Sequence, residues 1–118
     1  MKINEMSEKF NISLTKLRYY EKIGLIDKVK RVNNIREYEE KDIERLKMVL
    51  SLKNSGLSIK EILSYVKLDE EKDKTDEKID IFMDRRDKIM NKINELQGNL
   101  KSIDCLIYEL DNQIRYAG

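Results

Sequence analysis

The sequence predicts a mostly α-helical chain: two short helices, a small β-hairpin, two more helices, and one long coiled-coil helix. Three observations predict it. Apolar residues recur at helical spacing through most of the 118 residues, proline is absent, and a seven-residue repeat runs over 79–114. A polar stretch, 69–77, reads as a linker or a frayed helix start between a compact domain, 1–68, and a rod with a short tail, 78–118.

The elements follow in order. Ile3, Met6 and Phe10 share one helical face. Asn11 tolerates the left-handed conformation of a tight turn, Ile12 can anchor that turn, and Ser13 is a good N-cap. Leu14, Leu17 and Tyr20 face inward on a second helix that Gly24 terminates. Helix, three-residue turn and helix make the helix-turn-helix layout. Over 25–38 the helical period breaks: Ile26, Val29, Val32 and Ile35 interleave with Lys28, Lys30, Arg31 and Arg36. Asn33-Asn34 can take the positive φ of a hairpin turn, so this segment reads as a basic β-hairpin wing, with an irregular basic loop as the alternative.

A third helix is expected over about 40–54, with Ile43, Leu46, Val49 and Leu50 inward and a poor cap, Glu39, at its start. Ser58 with Glu61 forms a capping box for a fourth helix, with Ile59, Ile62, Leu63 and Val66 inward. In the rod, Ile79, Arg86, Ile93, Leu100, Ile107 and Ile114 fall at a positions, and Phe82, Ile89, Leu96, Ile103 and Leu110 at d. Five heptads are a strong coiled-coil signal. A helix of 36 residues is about 54 Å long, too long to bury its stripe on the compact domain. A second copy is the simplest partner, and folding back on its own domain is the alternative. Arg86 is the charge in the seam, where an acidic partner such as Glu109 or Asp111 of the other copy could set register.

Charge separates the two halves. Residues 1–68 carry 15 Lys/Arg against 10 Asp/Glu, and 69–118 carry 9 against 13. The first half suits a polyanion, the second does not. Histidine is absent and Cys105 is the one cysteine, which removes His acid–base chemistry, a Cys/His zinc site within one chain and an internal disulfide. A reducing compartment, the cytoplasm, is expected. No apolar run approaches the ~18 residues of a membrane span. Neither a nucleophile–base pair nor a phosphate-binding glycine loop is present, so the reading is not an enzyme and needs no cofactor. Cys105 has Asp104 and Glu109 for neighbours and reads as a spectator thiol.

The run Leu17-Arg18-Tyr19-Tyr20-Glu21-Lys22-Ile23-Gly24-Leu25-Ile26 closely resembles the recognition-helix signature of the MerR family of bacterial transcription regulators. Glu5-Met6-Ser7, Ile12-Ser13, Arg36-Glu37-Tyr38, Asp42-Ile43-Glu44-Arg45-Leu46 and Leu57-Ser58-Ile59-Lys60-Glu61-Ile62 extend the match over 2–68. The resemblance implies a winged helix-turn-helix on a homodimer whose long helices pair antiparallel. It implies binding to pseudo-palindromic double-stranded promoter DNA, with bending and untwisting that present the promoter to RNA polymerase. An unidentified small-molecule effector would fit the same picture. Where an aldehyde-responsive subgroup of that family carries a cysteine before Leu-Lys-Asn, this chain has Ser51, and residues 73–79 lack the cysteine of metal-sensing members. At the wing tip Asn34-Ile35 stands where Gly-Tyr is usual.

The expected DNA contacts are Ser13, Thr15, Lys16, Arg18, Tyr19 and Tyr20 on the second helix, and Lys30, Arg31, Arg36 and Tyr38 on the wing. Arginine suits bidentate guanine contacts, and lysine and tyrosine suit phosphates. Two readings of Tyr20 and Tyr38 stay open on sequence alone, contact or core. The rival function is a coiled-coil module that turns the basic domain on a protein partner.

Overall fold

A computed structural model describes residues 1–116; the last two residues of the predicted tail, 117–118, lie outside the described residues. The fold is mostly helical, as predicted: the described residues form five helices and one two-stranded antiparallel hairpin. It divides into two compact units, Met1–Lys78 and the remainder of the long helix from Ile79.

Helix α1 (Ile3–Phe10) opens with the Lys2 N–H donating to Glu5 Oε1 at 3.1 Å and closes on Asn11 at φ 50°. The turn is locked twice: Ile12 N–H donates to the Ser7 carbonyl at 3.1 Å, and Ser7 Oγ donates to the Ile12 carbonyl. Ser13 Oγ accepts the Lys16 N–H at 3.1 Å and starts α2 (Leu14–Ile23). Gly24, at φ 88°, ends it in a conformation that a side chain would strain.

Strands β1 (Arg31–Val32) and β2 (Ile35–Arg36) pair with Arg31 opposite Arg36 and Val32 opposite Ile35. Asn33 and Asn34 both take positive φ, 53° and 64°, the two-residue turn that matches strand twist. Beyond β2, Glu37 bridges back to Lys2 and the Tyr38 N–H donates to the Met1 carbonyl at 2.7 Å. The chain's start is thereby stitched to the wing exit.

Helix α3 (Glu40–Asn54) has a better start than Glu39 promised, because Asp42 reaches back and accepts the Glu39 N–H at 2.8 Å. Leu50 is only half-buried, and Leu52 takes a core place instead. Helix α4 (Ile59–Asp69) carries the expected capping box, with Glu61 N–H to Ser58 Oγ at 3.2 Å and Ser58 N–H to Glu61 Oε1 at 2.9 Å. Residues 70–74 are not helical and include Asp73 at φ 59°. Lys78 Nζ meets Asp69 Oδ1 at 2.7 Å across this turn. Helix α5 (Thr75–Tyr116) then runs for 42 residues, about 63 Å at ~1.5 Å each, and has no buried residue. Its start lies inside the segment expected to be linker.

The core of the first unit fixes which way α2 faces. Met6, Leu17, Tyr20, Leu25, Ile26, Leu46, Val49 and Ile62 are each under 2% exposed. Cutting one such leucine to alanine costs about 2–5 kcal/mol, a large share of the ~5–15 kcal/mol that holds a domain folded. Rolling α2 to present Leu17 and Tyr20 would forfeit more than one of these contributions at once, so the polar face is held outward.

Candidate nucleic-acid interface

With Leu17 and Tyr20 turned inward, α2 exposes Thr15, Lys16, Arg18, Tyr19 and Lys22. Tyr19 is 48% exposed, with its ring 6.4 Å from that of Tyr20, so one aromatic faces solvent and its neighbour the core. Ser13 is exposed at the head of the helix, and since its Oγ accepts the Lys16 N–H, its hydroxyl proton is free to be donated to a phosphate. These groups form one cationic, hydrogen-bonding face on a capped helix. That is the chemistry needed to hold phosphates and to read base edges.

The wing is fastened to this helix by a link that sequence reasoning missed. Glu21, on the flank of α2, accepts Arg36 Nε at 2.6 Å through Oε2 and the Val29 N–H at 3.4 Å through Oε1. The pair is largely withdrawn from water, at 8% side-chain exposure for Glu21 and 17% for Arg36. Arg36 was expected as a backbone clamp; its Nε is instead committed to Glu21. The available signal was Glu21 itself, one of two acids among seven bases over 16–36. Lys30 and Arg31 remain exposed on the wing, with Lys28 beside them.

Two expected contacts belong to the core. Tyr20 is 1% exposed and Tyr38 2%, and both hydroxyls are buried without a hydrogen-bond partner among the described residues. Burial, and after it the Glu21 carboxylate, push the Tyr38 phenol above its usual range. Lys53 Nζ lies 6.0 Å from the Tyr20 ring centroid and ties the end of α3 to α2. At the wing exit, hydrogen bonds from Lys2 and then from the Met1 amine hold the Glu37 carboxyl below its usual range.

On α5 the whole predicted seam stands open. Ile79, Phe82, Ile89, Ile93, Leu96, Leu100, Ile103, Ile107, Leu110 and Ile114 range from 41% to 81% exposed, and Arg86 is exposed among them. Met83, Met90 and Leu106, which the heptad reading passed over, flank the stripe and are also exposed. Cys105 is exposed on the same helix. Among the described residues no group of His, Cys, Asp and Glu is placed to hold a metal ion, and no helix is long and apolar enough to cross a membrane.

Comparison with known proteins bears on this geometry. A family model described as MerR HTH family regulatory protein matches residues 1–68, and one described as MerR, DNA binding matches 43–106. The transcriptional regulator AdhR of Bacillus subtilis is 37% identical over 92 residues, which cover 76% of this chain and 66% of AdhR, so a third of that relative lies outside the match. A MerR family regulator structure from Listeria monocytogenes superposes at a TM-score of 0.70 with 28% identity, covering 99% of this chain and 90% of that one. HiNmlR, described as a MerR family regulator lacking the sensor domain and solved bound to promoter DNA, superposes at 0.65 with 29% identity over 86% and 78%.

Proposed function

The chain belongs to the MerR family of helix-turn-helix regulatory proteins, and on that premise we propose that it acts as a homodimeric, DNA-binding transcription regulator on a pseudo-palindromic promoter site. The observation that carries this reading is the exposed face of α2, Thr15, Lys16, Arg18 and Tyr19, set on a buried Leu17–Tyr20 footing with the wing tied beside it through Glu21. Arg18 reads a base edge, while Lys16, Tyr19, Ser13, Lys30 and Arg31 hold phosphates. The division of labour follows the charge: the domain over 1–68 meets DNA, and the rod over 78–118 meets a second copy.

The long helices of two copies pair antiparallel and bury the a and d residues that stand open on one. The seam-flanking charges favour that direction: Arg85, Arg86 and Lys92 lie in the first half of α5, Asp104 and Asp111 in the second. Antiparallel pairing sets these seam-flanking bases of one copy against the seam-flanking acids of the other. The two recognition helices then enter successive major grooves, and bending or untwisting of the spacer changes how RNA polymerase meets the promoter. The residues described carry no constellation suited to catalysis, and the reading places the protein in the cytoplasm, with its DNA. The module reading, in which the basic domain binds a protein, has no such observation behind it.

The test is a titration of duplexes selected from a random pool, repeated across a salt series, with sedimentation of the free protein. The expected result is a dimer whose log affinity falls against log salt by about 0.9 for each phosphate neutralised. A monomer, or binding indifferent to both sequence and salt, contradicts it.

A further inference from the structure

The five methionines of the chain divide sharply by exposure. Met6 is in the core at 0%, Met1 and Met48 are half-buried, and Met83 and Met90 are 49% and 42% exposed. Both exposed thioethers sit on α5, seven residues apart, on one flank of the open stripe. That spacing is about two helical turns, so the two side chains leave the helix on the same side. Between them, three residues after Met83 and four before Met90, lies Arg86. Residues at those separations are surface neighbours on a helix, so the two methionines bracket the charge in the seam. Arg86 leaves its own layer without an apolar side chain. The flanking thioethers restore apolar cover there, because a flexible, unbranched side chain can fill an irregular gap.

We propose that Met83 and Met90 form an oxidant-sensitive pair, and that their conversion to sulfoxides loosens the pairing of α5 with a second copy and so weakens the hold on DNA. The proposal rests on the homodimer reading above. The chemistry is an oxygen-atom transfer from a peroxide. The thioether sulfur attacks one oxygen of hydrogen peroxide, the O–O bond breaks, an S–O bond forms, and the other oxygen leaves as water with both protons. Sulfur loses two electrons and the peroxide gains them. A flank position suits this step. It lies beside the a and d residues rather than among them, so the side chain packs on the partner's edge while a small oxidant still reaches the sulfur. The product opposes pairing in two ways. A sulfoxide is polar and accepts hydrogen bonds without donating any, so covering it with apolar side chains costs free energy. Its oxygen also lies one turn from the Arg86 guanidinium, which is a donor only. A bond formed within one helix then competes with any acidic partner that Arg86 finds on the other copy. Met6 takes no part, because burial keeps oxidant away from it while the domain is folded.

The experiment treats the full chain with hydrogen peroxide in a C105S background, which removes the one thiol. Peptide mass mapping times each oxidation, and sedimentation reads the dimer dissociation constant before and after. Met83 and Met90 should oxidise ahead of Met6 and Met48. Their oxidation should raise the dissociation constant about thirtyfold, roughly two- to threefold for each of the four sulfurs in a dimer, with helix content unchanged by circular dichroism. Operator affinity should fall with it, and treatment with the two methionine sulfoxide reductases should restore both. M83L/M90L keeps the apolar bulk without an oxidisable sulfur, and its dissociation constant should be the same before and after peroxide. M83Q/M90Q, an unreactive polar stand-in for the sulfoxide, should show the weaker dimer with no oxidant present. A dimer of parent strength with both sulfurs fully oxidised overturns the proposal, and so does an M83L/M90L response equal to the parent's. Loss of the dimer only once Met6 is oxidised and the helix signal falls is unfolding, and overturns it as well. An untreated chain that sediments as a monomer removes the homodimer reading, and the proposal with it.

Discussion

Replacing Glu21 by glutamine should detach the wing from the recognition helix. Three losses contribute. The ion pair with Arg36 Nε at 2.6 Å goes, the weaker bond to the Val29 N–H at 3.4 Å is kept at best as a neutral one, and the guanidinium is left short of a partner at 17% exposure. A fully buried pair broken on one side costs about 3–5 kcal/mol, and an exposed pair about 0–1 kcal/mol. Arg36 can swing part of the way into water, so the expected cost is between these, about 2 kcal/mol. For a domain of this size that amounts to a fall in Tm of about 8–16 °C at constant protomer concentration. Local opening is the sharper readout. The Glu37 N–H donates to the Lys30 carbonyl at 2.8 Å and so reports directly on the hairpin. Its hydrogen exchange should accelerate about thirtyfold, the equivalent of that free energy, while amides in the middle of α5 keep their rates. DNA affinity should fall with it, although Glu21 contacts no phosphate. If Glu37 exchange and Tm in the E21Q variant match the parent protein, the pair is an incidental surface contact and the coupling of wing to helix is wrong.

Three further outcomes follow from the same geometry. Arg18→Ala should abolish sequence-specific binding and leave the dimer intact, as read by titration and sedimentation; specific binding near the parent affinity would remove Arg18 from the site. Tyr38→Phe deletes a buried hydroxyl that has no partner among the described residues, so stability should hold or rise by up to about 1 kcal/mol and operator affinity should not change, whereas a large loss of affinity would return Tyr38 to the interface. The Glu37 carboxyl is held below its usual value of 4.5, so what it contributes to the wing exit is present above that value and lost as pH falls through its lower folded value. Glu37→Gln should flatten the acid-side decline of hairpin protection below about pH 4.5, and an unchanged acid profile would refute the assignment.

Much of the fold could be read from the sequence because its signals are local. Asn11, Ser13, Gly24, Asn33-Asn34 and the Ser58–Glu61 box each act within a few residues, and the structure places each in the predicted role. The heptad stripe was legible for the same reason. What escaped is non-local or ambivalent. The Glu21–Arg36 link joins positions 15 apart across a loop, and nothing in the helical period marks Glu21 as half-hidden. Tyr20 and Tyr38 could be core or contact because tyrosine has an apolar body and a polar tip; tertiary packing decided for the core. Leu50 and Leu52 both sit near the inner edge of α3, and only the neighbours that pack there choose between them. Asp42 rescued a helix start because a capping acid works from inside the first turn as well as from the cap position. On the proposed reading the open α5 seam is covered by another chain, and a single sequence shows no more of that partner than the unfilled stripe.

The central claim is that α2 of each copy enters its own major groove on one face of a duplex. Footprinting of the full chain on a selected operator, at single-nucleotide resolution, tests it most directly. The account predicts two equivalent protected half-sites in inverted orientation, with centres one helical turn or a whole number of turns apart, about 10–10.5 base pairs per turn. Both should be lost together in the R18A variant. One unpaired protected site, or protection that spreads evenly along the duplex and survives R18A, would contradict it.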